Sequence, residues 1–183
     1  VDLETTGGSP DRGHRITEIA VVEIRDGLIA EDFQTLVNPG RKIPPRIAKL
    51  TGIDDEMVRH APFFEDVAED IYDWIDGRVF VAHNESFDWR FISAQLGDAI
   101  GFVPQTTRLC TVKLARRLAP ELTRRNLDSV ATRFGIPIHA RHRAHGDALA
   151  TARILLRLLD EARAMGIYDL TSLQLMLHRK GRP

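Results

Sequence analysis

Four acidic residues fall in three separated segments: Asp2 and Glu4 in V-D-L-E-T-T-G, Asp88 in H-N-E-S-F-D, and Asp147 in H-R-A-H-G-D-A. Each stands at the edge of an apolar segment, where desolvating an unpaired ion is costly. Carboxylates gathered at the interior edge of a fold usually hold a cation, and hard oxygen ligands suit Mg²⁺ or Mn²⁺ rather than zinc. Residues two apart in a strand share a face, so Asp2 and Glu4 project together while Leu3 turns the other way. Such neighbours raise each other's pKa unless a cation lies between them. Taken alone, the pair reads equally as a solvated sheet edge. Asp88 and Asp147 each open a helix, where a carboxylate also complements the dipole. Phe87 and Phe91, however, set Asp88 beside an apolar helix face. His142, five residues before Asp147, can take a proton near neutral pH. His145 lies closer to Asp147 and is its rival for that role. Together these residues point to metal-dependent hydrolysis of phosphodiesters.

The elements that must position them follow from the hydrophobic pattern. Val1–Glu4 reads as the end of a strand, followed by a loop through Gly7, Gly8 and Pro10. Strand-like runs at 16–25 and 28–37 meet at Asp26-Gly27, a hairpin turn signal. Pro44 and Pro45 precede a short helix over 46–50, closed by Thr51-Gly52, and Asp54 can cap another. Phe64, Val67, Ile71 and Ile75 repeat at helical spacing. A short buried-type strand over 78–83 leads into a helix over 84–96. Helices are predicted near 111–118 and 127–134, and the longest over 148–165. Hairpin strands first, then strands alternating with helices, predict an α/β fold: a mixed central β-sheet flanked by α-helices.

At 183 residues and 43% hydrophobic, the chain suits one domain with a sizeable core. Cys110 is the sole cysteine, which excludes an internal disulfide framework and a Cys-based zinc site and fits a reducing cytoplasm. No apolar run approaches the roughly 20 residues that span a bilayer, so no membrane role is expected. The first residue is not Met and the opening strand reads as clipped, so a few residues are expected to precede Val1. The net charge of −1 does not suggest a nucleic-acid binder, but its distribution says more. Residues 54–76 are acidic, whereas Arg108 to Arg143 is strongly basic. A basic sector beside an acidic metal site would attract a polyanion backbone; solvated helix faces would produce the same pattern.

The three segments resemble, in order and spacing, the motifs of the DEDD exonuclease superfamily: D-x-E-T-T-G, H-N-x-x-F-D-x-x-F and H-x-x-x-x-D-A. The H-x-x-x-x-D form marks the DEDDh branch. Within it, E-T-T-G, K-L-T-G-I and H-R-A-x-x-D-A-x-A-T look most like the proofreading subunit of bacterial DNA polymerase III and PolC-type exonuclease domains. The match covers residues 1–166; 167–183 falls outside it as a C-terminal helix or tail.

This resemblance implies a ribonuclease H-like fold and 3′-to-5′ hydrolysis assisted by two divalent cations, Mg²⁺ or Mn²⁺. By carry-over, Asp2 would bridge the two ions, Glu4 and Asp147 would complete one site, and Asp88 would hold the other. His142 would be the general base. The backbone at Thr5 and Thr6 would meet the terminal nucleotide. Leu50, Thr51, Gly52 and Ile53 would line the base site, with Ile53 as an apolar contact, and Asn84 and Phe87 would lie near the scissile phosphate. Core packing is the other reading of Leu50 and Phe87. The implied partners are single-stranded or frayed DNA 3′ ends, in proofreading or repair, and a DNA polymerase subunit. RNA trimming stays open, because the catalytic set does not distinguish sugars; E-T-T-G favours DNA. An inert polymerase- or clamp-associated adaptor, or a module of a larger protein, are further readings. Gln174–His178 (Q-L-M-L-H) resembles clamp-binding peptides, although an amphipathic helix explains Leu170, Leu173 and Leu177 as well.

Overall fold

β2 (Ile16–Arg25) is the strand on which the fold is built. Residues Ile16 to Val21 are all buried, as in a strand covered on both faces, which accounts for its near-continuous apolar run. A computed structural model describes residues 1–178. In it β2 lies between β1 (Asp2–Thr5) and β3 (Leu28–Leu36), antiparallel to both. The β2–β3 turn places Asp26 at φ 54° and Gly27 at φ 78°, the double positive φ that a two-residue hairpin loop demands. β3 is the exposed edge, and Glu31 and Asp32 on it discourage further pairing.

α1 (Pro45–Thr51), α2 (Asp55–Val58) and α3 (Phe64–Ile75) follow. Asp54 caps α2 by accepting from the Met57 N–H at 2.9 Å. β4 (Phe80–Ala82) runs into α4 (Glu85–Ile100), which returns the chain to β5 (Arg108–Cys110), parallel to β4. β5 carries no expectation from the sequence, and α4 extends to Ile100 rather than ending at Leu96. The β1–β3 and β4–β5 ladders meet where the Val1 amino group donates to the Val81 carbonyl at 2.8 Å. α5 (Thr111–Leu118), α6 (Leu127–Arg133), α7 (Ala144–Ala164) and α8 (Leu170–His178) complete the order.

Alternation along β2 divides the core. Ile19 and Val21 join Leu3, Phe64, Ile71, Phe91 and Ile92 beneath α3 and α4. Ala20 meets Ala144 and Ala148 of α7 on the opposite face, and Val22 packs beside them. Small residues at 144, 146, 148, 150 and 152 let α7 lie close to the sheet. Leu114, Leu118, Val130, Ile154, Leu158 and Leu173 form a second core among α5–α8. This is the α/β architecture of a central sheet with flanking helices.

Candidate metal-dependent hydrolytic centre

Asp2 pairs with Ala20 and Glu4 with Glu18 across the β1–β2 ladder. Opposed residues in an antiparallel pair share a face, so both carboxylates project toward α7, which covers Ala20. The register shifts between Glu4 and Thr5, a bulge at the point where the strand gives way to the Thr6–Arg15 loop. Asp147 stands in the first turn of α7 and is 3% exposed. Glu4, His142 and Asp147 bring one ligand atom each within 4.8 Å of one another. Asp88, also 3% exposed, arrives from α4 on the other side of β1, and its carboxylate accepts the Leu3 N–H.

The electrostatics are those of a centre short of positive charge. Burial, then repulsion from Asp88, Asp147 and Glu4, holds the Asp2 pKa well above the ordinary carboxylate range. Glu4 is pushed up to about 7, first by burial and then by Asp147 and Glu18. Asp88 also rises to about 7, chiefly through burial, against the opposing pull of the amino terminus and the Leu3 N–H. Asp147 is raised by burial while Arg141 and the His142 N–H pull it back. Its Oδ1 is buried without a hydrogen-bond partner. Clustered hard-oxygen donors, mutually raised pKa values and an orphaned carboxylate oxygen fit a divalent cation.

His142 adopts a left-handed backbone, φ 63°, which is strained for a residue with a side chain. Its N–H donates to Asp147 Oδ2 at 3.3 Å. Arg141 also donates to that oxygen. His145 is directed elsewhere: its Nε2 lies 3.0 Å from Asp32 Oδ2 on β3.

The sequence-derived contacts to substrate separate into distinct environments. The Thr5 hydroxyl donates to the Gly7 carbonyl at 2.7 Å, and the Thr6 hydroxyl accepts the Arg15 N–H at 3.0 Å. Both hydroxyls are committed to the loop, the Thr6 N–H donates to the Arg15 carbonyl at 2.9 Å, and both residues are buried. The Thr51 hydroxyl donates to the Ile47 carbonyl, and Gly52 takes φ 72° as the C-cap of α1. Ile53 is fully buried, packed with Ile43 and Val58, so it cannot present its side chain to a base as expected. Leu50, by contrast, is 53% exposed and is not a core residue. Asn84 is exposed with φ 73°, and Phe87 is half-buried against Phe91, ring centroids 5.1 Å apart.

Several residues here escaped the sequence reading. Glu18 is 4% exposed, accepts from Arg143 Nη2 at 2.6 Å and from the Ala144 N–H at 2.8 Å, and so moors the start of α7 to β2. A glutamate within a buried strand was its visible signal. The basic sector is partly consumed in this way: Arg143 pairs with Glu18, Arg133 with Glu121, and Arg108 with Glu85 at 3.6 Å. His83, in the same motif as Asp88, is tied to Thr111 and Arg125, and burial pushes its pKa down to about 4. An apolar cavity of about 470 Å³ between β2, β4 and α7 includes none of the four carboxylates in its lining.

Fold and acidic centre define the class of the DEDDh 3′–5′ exonucleases, hydrolases built on a ribonuclease H-like fold. Residues 1–155 match the RNase T-type exonuclease family, and the chain belongs to that family. It is 38% identical over 165 residues to the 3′-5′ exonuclease DinG of Bacillus subtilis, covering 90% of this chain and 18% of that one. It is 36% identical over 161 residues to the DNA polymerase III subunit epsilon of Aquifex aeolicus, covering 88% of this chain and 79% of the subunit. Thus the chain spans under a fifth of the first relative and most of the second. Among solved structures, exonuclease X in complex with 5′ overhanging duplex DNA superposes with a TM-score of 0.75, at 29% identity and 96% coverage of both chains.

Proposed function

We propose that this domain removes nucleotides from DNA 3′ ends by hydrolysis assisted by two divalent cations, Mg²⁺ or Mn²⁺, with His142 as general base. The convergence of Asp2, Glu4, Asp88 and Asp147 from β1, α4 and α7 beside His142 carries this reading. Asp2, Glu4, Asp88 and Asp147 would hold the ions. When bound, the ions would stabilise the attacking and leaving oxygens and lower the pKa of the attacking water. His142 receives the proton; the strained backbone and the N–H bond to Asp147 fix where its ring stands.

The backbone at Thr5 and Thr6 would receive the terminal nucleotide. Exposed Leu50, rather than buried Ile53, supplies an apolar surface for an unstacked base, a contact that tolerates any base. Thr51 and Gly52 shape that turn, and Asn84 and Phe87 stand near the phosphate beside Asp88. The catalytic unit would span residues 1–166, with 167–183 appended; its last five residues lie outside the described structure. The similarity to a polymerase III subunit and to a DNA-bound exonuclease favours DNA as substrate, proofreading or repair as setting, and a polymerase subunit as partner.

Single-stranded DNA, matched and 3′-mismatched duplexes, and RNA of the same sequence test this, each given to the wild-type chain, His142→Ala and His145→Ala. DNA shortened faster than RNA, with turnover reduced at least roughly 100-fold in His142→Ala and near wild type in His145→Ala, is expected. Faster loss of RNA would move the chain to the RNA-trimming branch. Full turnover by His142→Ala would refute its role as base, and inertness toward every substrate would favour the adaptor.

A further inference from the structure

Arg141 stands inside the acidic centre without a role in the reading above. One of its terminal nitrogens, Nη1, donates to Asp147 Oδ2 and lies 3.3 Å from His142 Nδ1, while Nε donates to Asp128 Oδ1 at 3.0 Å. Its side chain is 32% exposed, against 4% for Asp147. A guanidinium is a planar fork of donors that matches a carboxylate or a phosphate. Here the fork covers Asp147 Oδ2 and leaves Oδ1 open, and a dication on that carboxylate would repel the guanidinium beside it. That repulsion favours turning the fork away from Asp147 once the ion is loaded. Asp128, carried by α6, retains the Nε side, which limits the swing and keeps the fork beside His142. The phosphate attacked by water activated at His142 must lie within reach of that same position.

We propose that Arg141 exchanges ligands. It neutralises Asp147 in the cation-free enzyme and, once a cation takes that carboxylate, binds a phosphate oxygen of the 3′-terminal nucleotide. The exchange rests on the proposed cation centre. It makes cation loading and phosphate binding consecutive uses of one charged group.

Two calorimetric titrations test it, on wild type, Arg141→Ala and Arg141→Lys. Mn²⁺ is titrated first without nucleotide; thymidine 5′-monophosphate is then titrated at saturating Mn²⁺. Arg141→Ala should bind Mn²⁺ roughly three- to tenfold more tightly and the nucleotide at least roughly fivefold more weakly, with Arg141→Lys between. These opposite signs separate exchange from support of the loop, which would weaken both affinities. Equal or weaker Mn²⁺ binding in Arg141→Ala, or unchanged nucleotide affinity, overturns the proposal. Absence of Mn²⁺ uptake by wild type and variant alike removes the cation centre itself. Arg141→Gln, uncharged but still hydrogen-bonding, carries the test if the alanine variant does not fold.

Discussion

Glu4 and Asp88 are held near pKa 7 by burial in a crowded acidic centre, and this couples stability to pH in the direction opposite to a salt-bridged acid. Between about pH 4, where unfolded carboxylates ionise, and about pH 7, the folded chain keeps protons that the unfolded chain has released. Their contribution to the metal-free protein is full below that window and is lost as pH rises through about 7. Glu4→Gln removes one of the repelling charges. Denaturant unfolding in EDTA should find it on the order of 1–3 kcal/mol more stable than wild type at pH 8, with the gap closing near pH 5. Mg²⁺ should stabilise wild type strongly at pH 8 and little at pH 5, because it binds only the folded, ionised centre. A gap independent of pH, or Mg²⁺ stabilisation greater at pH 5, would contradict this account of the charges.

The N-terminal turn of α7 is the element that brings His142 and Asp147 to β1. Gly146 makes this possible: a Cβ there would lie 1.9 Å from the His139 carbonyl oxygen and 3.0 Å from that of Ala140. Gly146→Ala must push the 139–142 segment away from the helix. A loss of roughly 1–3 kcal/mol in urea unfolding, with turnover reduced tenfold or more, is expected; wild-type values for both would show that the segment accommodates the methyl. Local features of the fold were legible in the sequence. The spacing of His142 and Asp147, the hairpin at Asp26-Gly27 and the cap at Asp54 are local signals, and each appears where its residues require. The start of α7 at Ala144 was not legible, because Ala-His-Gly carries no apolar period and its first N–H finds its partner, Glu18, far away in sequence. β5 escaped for a related reason: three residues acquire strand character by pairing with β4. Ile53 was read as an apolar contact for a base because its motif said nothing of its packing with Ile43 and Val58.

Across the molecule, Leu3, Phe87 and Phe91 tie Asp2, Glu4 and Asp88 to the first core, whereas α8 belongs to the second. α8 closes the second core through Leu173, 3% exposed, with Leu170, Met176 and Leu177 packed alongside. The Q-L-M-L-H segment is therefore helical, with part of its apolar surface already used, while Leu175 is 58% exposed. Leu173→Ala should cost roughly 2–5 kcal/mol in denaturant unfolding. Turnover per folded molecule should remain within about twofold, since that cluster is built among α5–α8 and includes none of the chain neighbours of Asp2, Glu4, Asp88 or Asp147. A larger loss of turnover than of folded protein would show that α8 supports the centre directly. None of the described helices is long and apolar enough to cross a membrane.

The most direct test uses the chelator-stripped chain and a single-stranded DNA labelled at its 5′ end. Mg²⁺ or Mn²⁺ is restored at pH 8, beside an Asp147→Asn control. A ladder that shortens one nucleotide at a time from the 3′ end is expected. It should depend on the added cation and fall by at least roughly three orders of magnitude in the control. Cleavage that persists in chelator, or in Asp147→Asn at the wild-type rate, would contradict a hydrolytic centre built from these carboxylates.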